Sequence, residues 1–291
     1  MYEEPYRWIE AVGNRRQYLD EQFAPGSPVV ALSYAGGILL LTVSRGTPKL
    51  YEVYDRIALG GMGHPADLEK LRFSLLDSAH LEGFNRSPSD VTASRLMKYG
   101  LAPIIKQAFE EIFKAPFIVK VVLAELSLKP PTDKGQSHDS FLTVNYDGGF
   151  EETRYAAVLA STPAIQGQMT SYLKQATPTP PGTLQQVAEV AARTWAVGSL
   201  RQAADQAETD EAPPEHESST RNQPKASGQP VTDEARLLDH LRDTLQDKYF
   251  ECAVLERQAP GSSKYRRLTA DELARLLPAS LRDAIRSGDP S

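Results

Sequence analysis

Residues 27–56, SPVVALSYAGGILLLTVSRGTPKLYEVYDR, constrain the fold of this chain more than any other stretch. The runs at 29–32 and 38–43 are apolar and separated by Tyr34-Ala35-Gly36-Gly37. Two β-rich runs around a Gly-Gly turn read as a hairpin, with the glycines free to take positive φ. A third run, 49–54, alternates before Asp55-Arg56. The first two runs do not alternate, and near-continuous apolarity means that both faces of the hairpin are covered.

The rest of the chain supplies what could cover them. Residues 5–23 read as a helix with Trp8, Val12, Leu19 and Phe23 on one stripe and Arg15, Arg16 and Asp20 off it. Strands are expected at 29–34, 38–43, 49–54 and 57–60, and Gly60-Gly61-Met62-Gly63 reads as a flexible turn. A helix over 66–82 carries Leu68, Leu71, Leu75 and Ala79 at helical spacing. A second is expected over 88–113, started by Ser87 as N-cap, Pro88 at N1 and Asp90 at N3, with Pro103 kinking it. Further strands are expected at 117–126, 141–146, 153–160, 249–255 and 265–268, and further helices at 164–176, 184–200, 232–245 (capped by Thr232) and 269–277. Residues 203–232 are rich in acids and prolines and nearly free of apolar side chains. They read as a disordered acidic insertion. The polar tail, 278–291, is expected to be flexible. Hairpins and helix pairs in this order imply an α+β layered fold rather than βαβ alternation.

Composition narrows the function. A net charge of −6 argues against a nucleic-acid-binding surface. The single cysteine, Cys252, excludes an internal disulfide and a cysteine-based zinc site, and its apolar surroundings predict a buried thiol. No apolar run is long enough for a transmembrane helix, and the acidic, aromatic start MYEEPYRW is not a signal peptide, so a cytoplasmic location is expected. The glycines at 60–63 lack the spacing and lysine of a nucleotide loop, and no GxSxG occurs. The five histidines (His64, His80, His138, His216, His240) show no metal spacing, so no cofactor is expected.

VVALSYAGGILL followed by KLYEVYDRIALGGMG resembles the opening of actinobacterial-type proteasome α subunits. The resemblance continues through DVTASRLMKYGLAPIIKQAF (90–109), the strand at 120–125, TVNYDGGF (143–150) and ECAVLERQ…KYRRLTADELARLL (251–277). It implies the four-layer αββα sandwich of N-terminal nucleophile hydrolases with an extra N-terminal helix. The implied division is a gate segment and helix over 1–26, the α-type domain over 27–277 and the tail beyond.

The resemblance also implies a function: a non-catalytic subunit that forms heptameric outer rings, gates entry to catalytic β rings and docks a regulatory ATPase or activator. The implied partners are β subunits, neighbouring α subunits and an activator tail ending hydrophobic–Tyr–X. Catalytic β subunits use an N-terminal threonine as nucleophile, with its own amine as base. The matching position here is Ser27, which 26 residues precede. The partner-carboxylate position falls at Val43, and only the lysine position is filled, by Lys49. In α subunits that lysine receives the carboxylate of the activator's tail, near a glycine matched by Gly26, and Met1, Tyr2, Glu3 and Glu4 would be the gate. The alternatives are a self-processing hydrolase using Ser27, or a self-assembling scaffold with no β partner.

Overall fold

A computed structural model describes residues 4–111, 113–129, 138–178, 182–210 and 233–287. Helix α1 (Glu4–Phe23) leads into β1 (Val29–Tyr34), β2 (Gly37–Ser44), β3 (Leu50–Tyr54) and β4 (Ile57–Gly63). Then come α2 (Pro65–Asn85), α3 (Ala93–Arg95), α4 (Ala102–Glu110), β5 (Val119–Glu125), β6 (Ser140–Val144), β7 (Phe150–Arg154) and β8 (Ala156–Leu159). The remainder is α5 (Pro163–Ala176), α6 (Leu184–Asp210), α7 (Glu234–Thr244), β9 (Tyr249–Glu256), β10 (Tyr265–Arg267), α8 (Ala270–Leu276) and α9 (Arg282–Ser287). The strands form two five-stranded sheets, in the orders β10-β9-β2-β1-β8 and β3-β4-β5-β6-β7. Every pairing is antiparallel. The fold is α+β.

The expected hairpin is the centre of the first sheet, paired from Val29↔Thr42 to Tyr34↔Gly37. Its continuous apolarity resolves into two faces. Val30, Leu32, Leu39, Leu41 and Val43 pack with residues of α5, α6, α7, α8 and α9. Val29, Ala31, Ile38 and Leu40 pack toward the second sheet, with Ala58, Val122 and Phe141. The second sheet repeats the arrangement: Val119, Val121 and Leu123 pack with Leu68, Leu71 and Leu75 of α2 and Ile105 of α4. Each fully buried Leu or Val of these strands contributes about 1.5–3 kcal/mol relative to exposure.

Helix α1 closes the edge between the sheets. Leu19 and Phe23 are fully buried there, whereas Trp8, expected on the same stripe, is about half exposed (49%). Arg15 adds a polar attachment. Its guanidinium donates to the carbonyls of Ala108, Phe109 and Glu111, groups that the end of α4 leaves without helical partners, and to that of Lys114 just beyond.

Several local expectations need correction. Neither Gly36 nor Gly37 is among the described residues of positive φ. Gly37 is required instead because a Cβ there would lie 1.8 Å from the Leu255 carbonyl oxygen of β9. Gly60-Gly61-Met62-Gly63 is not a turn but half of β4. A Cβ on Gly60 would press on Val29 across the sheets and on Val122, its pair on β5, and one on Gly61 would meet Leu68 of α2. Small residues there let three layers approach.

Ser87 does accept the Ser89 N–H, but it starts only the 3₁₀ turn Pro88–Asp90; the chain turns extended at Val91 and Thr92 caps α3. Leu96–Leu101 is then π-helical, with Ala102 N–H bonded to the Met97 carbonyl, before Pro103, which has no N–H to give. The strand expected over 153–160 is broken at Tyr155, whose φ is 74°. Its carbonyl accepts the Ser33 N–H at 2.7 Å, and here the chain leaves one sheet for the other.

Helix α6 continues to Asp210, into the stretch expected to be disordered; 211–232 lies outside the described residues. Thr232 also lies outside them, and Asp233 caps α7 by accepting the Ala235 N–H. The segment after 277 is not a loose tail up to Ser287. Leu281 and Ile285 are buried against the first sheet's helices, and Arg282 donates to the Ala274 carbonyl.

The tightest of these contacts is testable. Gly37→Ala puts a methyl against backbone rather than a movable side chain, so a loss of about 1–3 kcal/mol is expected in urea unfolding.

Candidate functional site

Ser27, Gly26 and Lys49 come together around one end of β2. The Ser27 Oγ accepts the Trp195 Nε1–H at 3.1 Å and lies 3.4 Å from Thr42 Oγ1. Thr42 in turn donates to the Pro28 carbonyl at 2.7 Å, which leaves Ser27 as the donor toward Thr42. No carboxylate, imidazole or amine among the described residues hydrogen-bonds this hydroxyl. The nitrogen of Ser27 is an amide, because the chain continues back through Gly26 into α1. An amide cannot serve as the base that an N-terminal hydroxyl nucleophile needs.

Lys49 reaches the next residue of the same strand. Its Nζ donates to the Val43 carbonyl at 3.3 Å, its one hydrogen-bond acceptor among the described residues. Val43 itself is a buried side chain of the helix-facing core. Gly26 lies nearby through β4: a Cβ on Gly26 would be 2.4 Å from Met62 Cε, and Gly61 N–H donates to the Lys49 carbonyl at 2.9 Å. Of the expected gate residues, Met1, Tyr2 and Glu3 lie outside the described residues, and Glu4 begins α1.

Two charged groups here were not anticipated. Glu251 of β9 is nearly fully buried, and its carboxylate accepts the Lys49 N–H on both oxygens, at 3.0 and 2.9 Å, and the Leu50 N–H at 2.9 Å. Arg267 stands 4.0 Å from it and donates to the Leu50 carbonyl. Burial pushes the Glu251 carboxyl up, against the pull of the Leu50 and Lys49 amides and of the Arg267 and Lys49 cations. Burial pulls the Lys49 ammonium down, which Glu251 opposes and Lys248 reinforces. A cavity of about 310 Å³ opens beside this cluster, lined in part by Pro48, Glu251, Arg267, Leu268 and Thr269.

The second group is Lys120 of β5, also buried between the sheets. Its Nζ donates to the carbonyls of Ala160 and Ser161 at 2.9 and 2.8 Å and lies 4.7 Å from the centre of the Phe23 ring. Burial pulls this ammonium down to about 8, with Asp20 and Asp147 opposing. Both residues were visible in the sequence as charges inside apolar runs, FIVKVVLAEL and FECAVLE, which a buried strand tolerates only with partners. Among the described residues no group of His, Cys, Asp or Glu could hold a metal ion, and no helix is long and apolar enough to cross a membrane.

No protein-family model matches the chain. Curated relatives do. The proteasome subunit alpha of Streptosporangium roseum is 31% identical over 162 residues, covering 54% of this chain and 58% of the relative. That of Kineococcus radiotolerans is 30% identical over 162 residues, covering 54% and 64%. That of Saccharomonospora viridis is 28% identical over 270 residues, covering 91% and 86%. The chain thus spans less than two thirds of the length of the first two relatives. The resemblance to actinobacterial proteasome α subunits is shown by these matches, one of which runs along nearly the whole chain.

Two outcomes follow from the geometry. Ser27→Ala leaves the buried Trp195 N–H without an acceptor and is expected to cost about 1–3 kcal/mol in urea unfolding. Lys120 binds its proton more weakly folded than unfolded. Between pH of about 8 and about 10.4, the ordinary lysine value, the unfolded state therefore holds more protons and stability from this residue rises with pH. The difference between wild type and Lys120→Met should shift in favour of wild type across pH 8 to 10, by roughly 1–3 kcal/mol in order of magnitude.

Proposed function

We propose that this relative of actinobacterial proteasome α subunits is itself a non-catalytic α-type subunit of a 20S-like proteasome core. In this reading it forms heptameric outer rings in the cytoplasm, stacked on catalytic β rings, and the residues Met1, Tyr2, Glu3 and Glu4 gate entry of protein substrates. The fold is the four-layer αββα sandwich of the N-terminal nucleophile hydrolases. Supporting that assignment are three apolar clusters: helices on the first sheet, sheet on sheet, and helices on the second sheet.

One observation carries the non-catalytic reading. The residue at the nucleophile's position, Ser27, is amide-linked to Gly26 and held between Trp195 and Thr42. The carboxylate position holds Val43. Lys49 alone remains of the catalytic set, and it takes the other role, receiving the terminal carboxylate of an activator tail ending hydrophobic–Tyr–X. Favouring this role is a partly desolvated ammonium with a single protein acceptor among the described residues, able to form a strong charge-assisted bond to an incoming carboxylate. The outer face of α2 exposes Phe73, Leu81 and Phe84, apolar surface suited to contacts with neighbouring subunits in a ring stack.

Coexpression with an actinobacterial-type β subunit is expected to give seven-fold barrels in negative-stain images, and persistent monomers would overturn the proposal. Intact-mass measurement should find no form that begins at Ser27. In the barrels, Lys49→Ala is expected to weaken docking of an activator about tenfold or more, the scale of a lost charge-assisted contact, without disturbing assembly.

A further inference from the structure

We infer that Glu251 is a built-in competitor for the carboxylate that docks at Lys49, and so sets how tightly the site takes an anionic chain end. The inference rests on the reading of Lys49 given above. A site for a terminal carboxylate needs a cation and backbone N–H donors converging on one place. Lys49 offers the cation, and the amides of Lys49 and Leu50 are the donors closest in sequence. Both of those donors are already taken, by the carboxylate of Glu251 at 2.9–3.0 Å.

The position is built by the sheet. Strand β9 pairs with β2 so that Glu251 lies opposite Thr42, the residue that touches Ser27 and precedes the carbonyl holding Lys49. Glu251 is thus delivered from a central neighbour strand and is only 6% exposed. The bonds from these two amides and the rigidity of the paired strand keep it there. An arriving carboxylate meets a lysine whose field a buried negative charge already opposes, in surroundings where charges are poorly screened. Arg267, 4.0 Å from Glu251, tempers that charge from the other side. Lys49, Arg267 and Lys248 are the charged groups that bear on this pair.

The cluster therefore acts as a specificity device. An occupant that offers only its carboxylate is refused, and only one that brings further contacts stays bound. Removing the charge of Glu251 should relax the restriction, and removing Arg267 should tighten it.

The test uses the full-length chain in the assembly it forms and a fluorescent heptapeptide ending in a hydrophobic residue, tyrosine and alanine. The same peptide with an amidated C-terminus is the control. By anisotropy, Glu251→Gln is expected to bind the free-acid peptide at least fivefold more tightly than wild type, with no change for the amide. Arg267→Gln, which leaves Glu251 in place, is expected to bind the free acid several-fold more weakly; it also serves if Glu251→Gln fails to fold. Unchanged or weaker binding in Glu251→Gln, or unchanged or tighter binding in Arg267→Gln, overturns the role of Glu251. If Lys49→Ala still abolishes binding in that case, the docking role of Lys49 stands. Binding that ignores both Lys49→Ala and the amide overturns the docking role itself, and the inference with it.

Discussion

The β1–β2 hairpin is buried on both faces, and the rest of the structure answers that constraint. Every residue of the two strands is buried. Alternate side chains therefore need apolar partners on opposite sides, helices on one and a second sheet on the other. The glycines of β4 follow from it, since the second sheet closes on Val29 only where Gly60 has no side chain. So does the placement of polar groups. Where a strand is dry on both faces, a charge or hydroxyl survives only at its end and only with partners. Ser27, Thr42, Lys49 and Glu251 all gather at one end of the hairpin for that reason, and Lys120 reaches the neighbouring carbonyls of Ala160 and Ser161 from the facing sheet.

What was legible in the sequence was whatever has a period. The hairpin and the leucines of α2 could both be read from spacing. What was not legible depends on residues far away in the chain. Gly37 looks like a turn glycine, but its necessity comes from the Leu255 carbonyl. The unbroken strand-like run 153–160 hides the change of sheet at Tyr155, because both halves are good strand. The region after Ser87 carries a sound start signal that leads only to a short turn, since Thr92, not Ser87, starts the buried helix. Leu281 and Ile285 are too few to announce a helix, yet four residues apart they dock well on an existing core.

The site divides the same way. Ser27 and Lys49 carried no chemical signature of their own, and only the ordered resemblance singled them out. Glu251 and Lys120 carried one, an ionised side chain within a run of buried apolar neighbours. Such a charge reports that partners exist without saying where. The partners are on other strands: the amides of Lys49 and Leu50 for Glu251, the carbonyls beyond β8 for Lys120.

Helix α1 is where fold and function bear on each other most directly. A serine at position 27 could become an N-terminal nucleophile only if residues 1–26 were removed. Those residues are not a detachable leader in mechanical terms. Leu19 and Phe23 are part of the core between the sheets, and losing side chains of this size and burial costs about 2–5 kcal/mol each. Arg15 caps the end of α4, Asp20 accepts the Tyr146 hydroxyl at 2.9 Å, and the Lys120 ammonium sits against the Phe23 ring. Cleavage before Ser27 would uncover Lys120 and open the edge between the sheets while freeing an amine with no carboxylate at Val43 to assist it. The segment that would have to leave for catalysis is the one that closes the edge between the two sheets, so the structure favours keeping α1 in place over releasing the serine behind it.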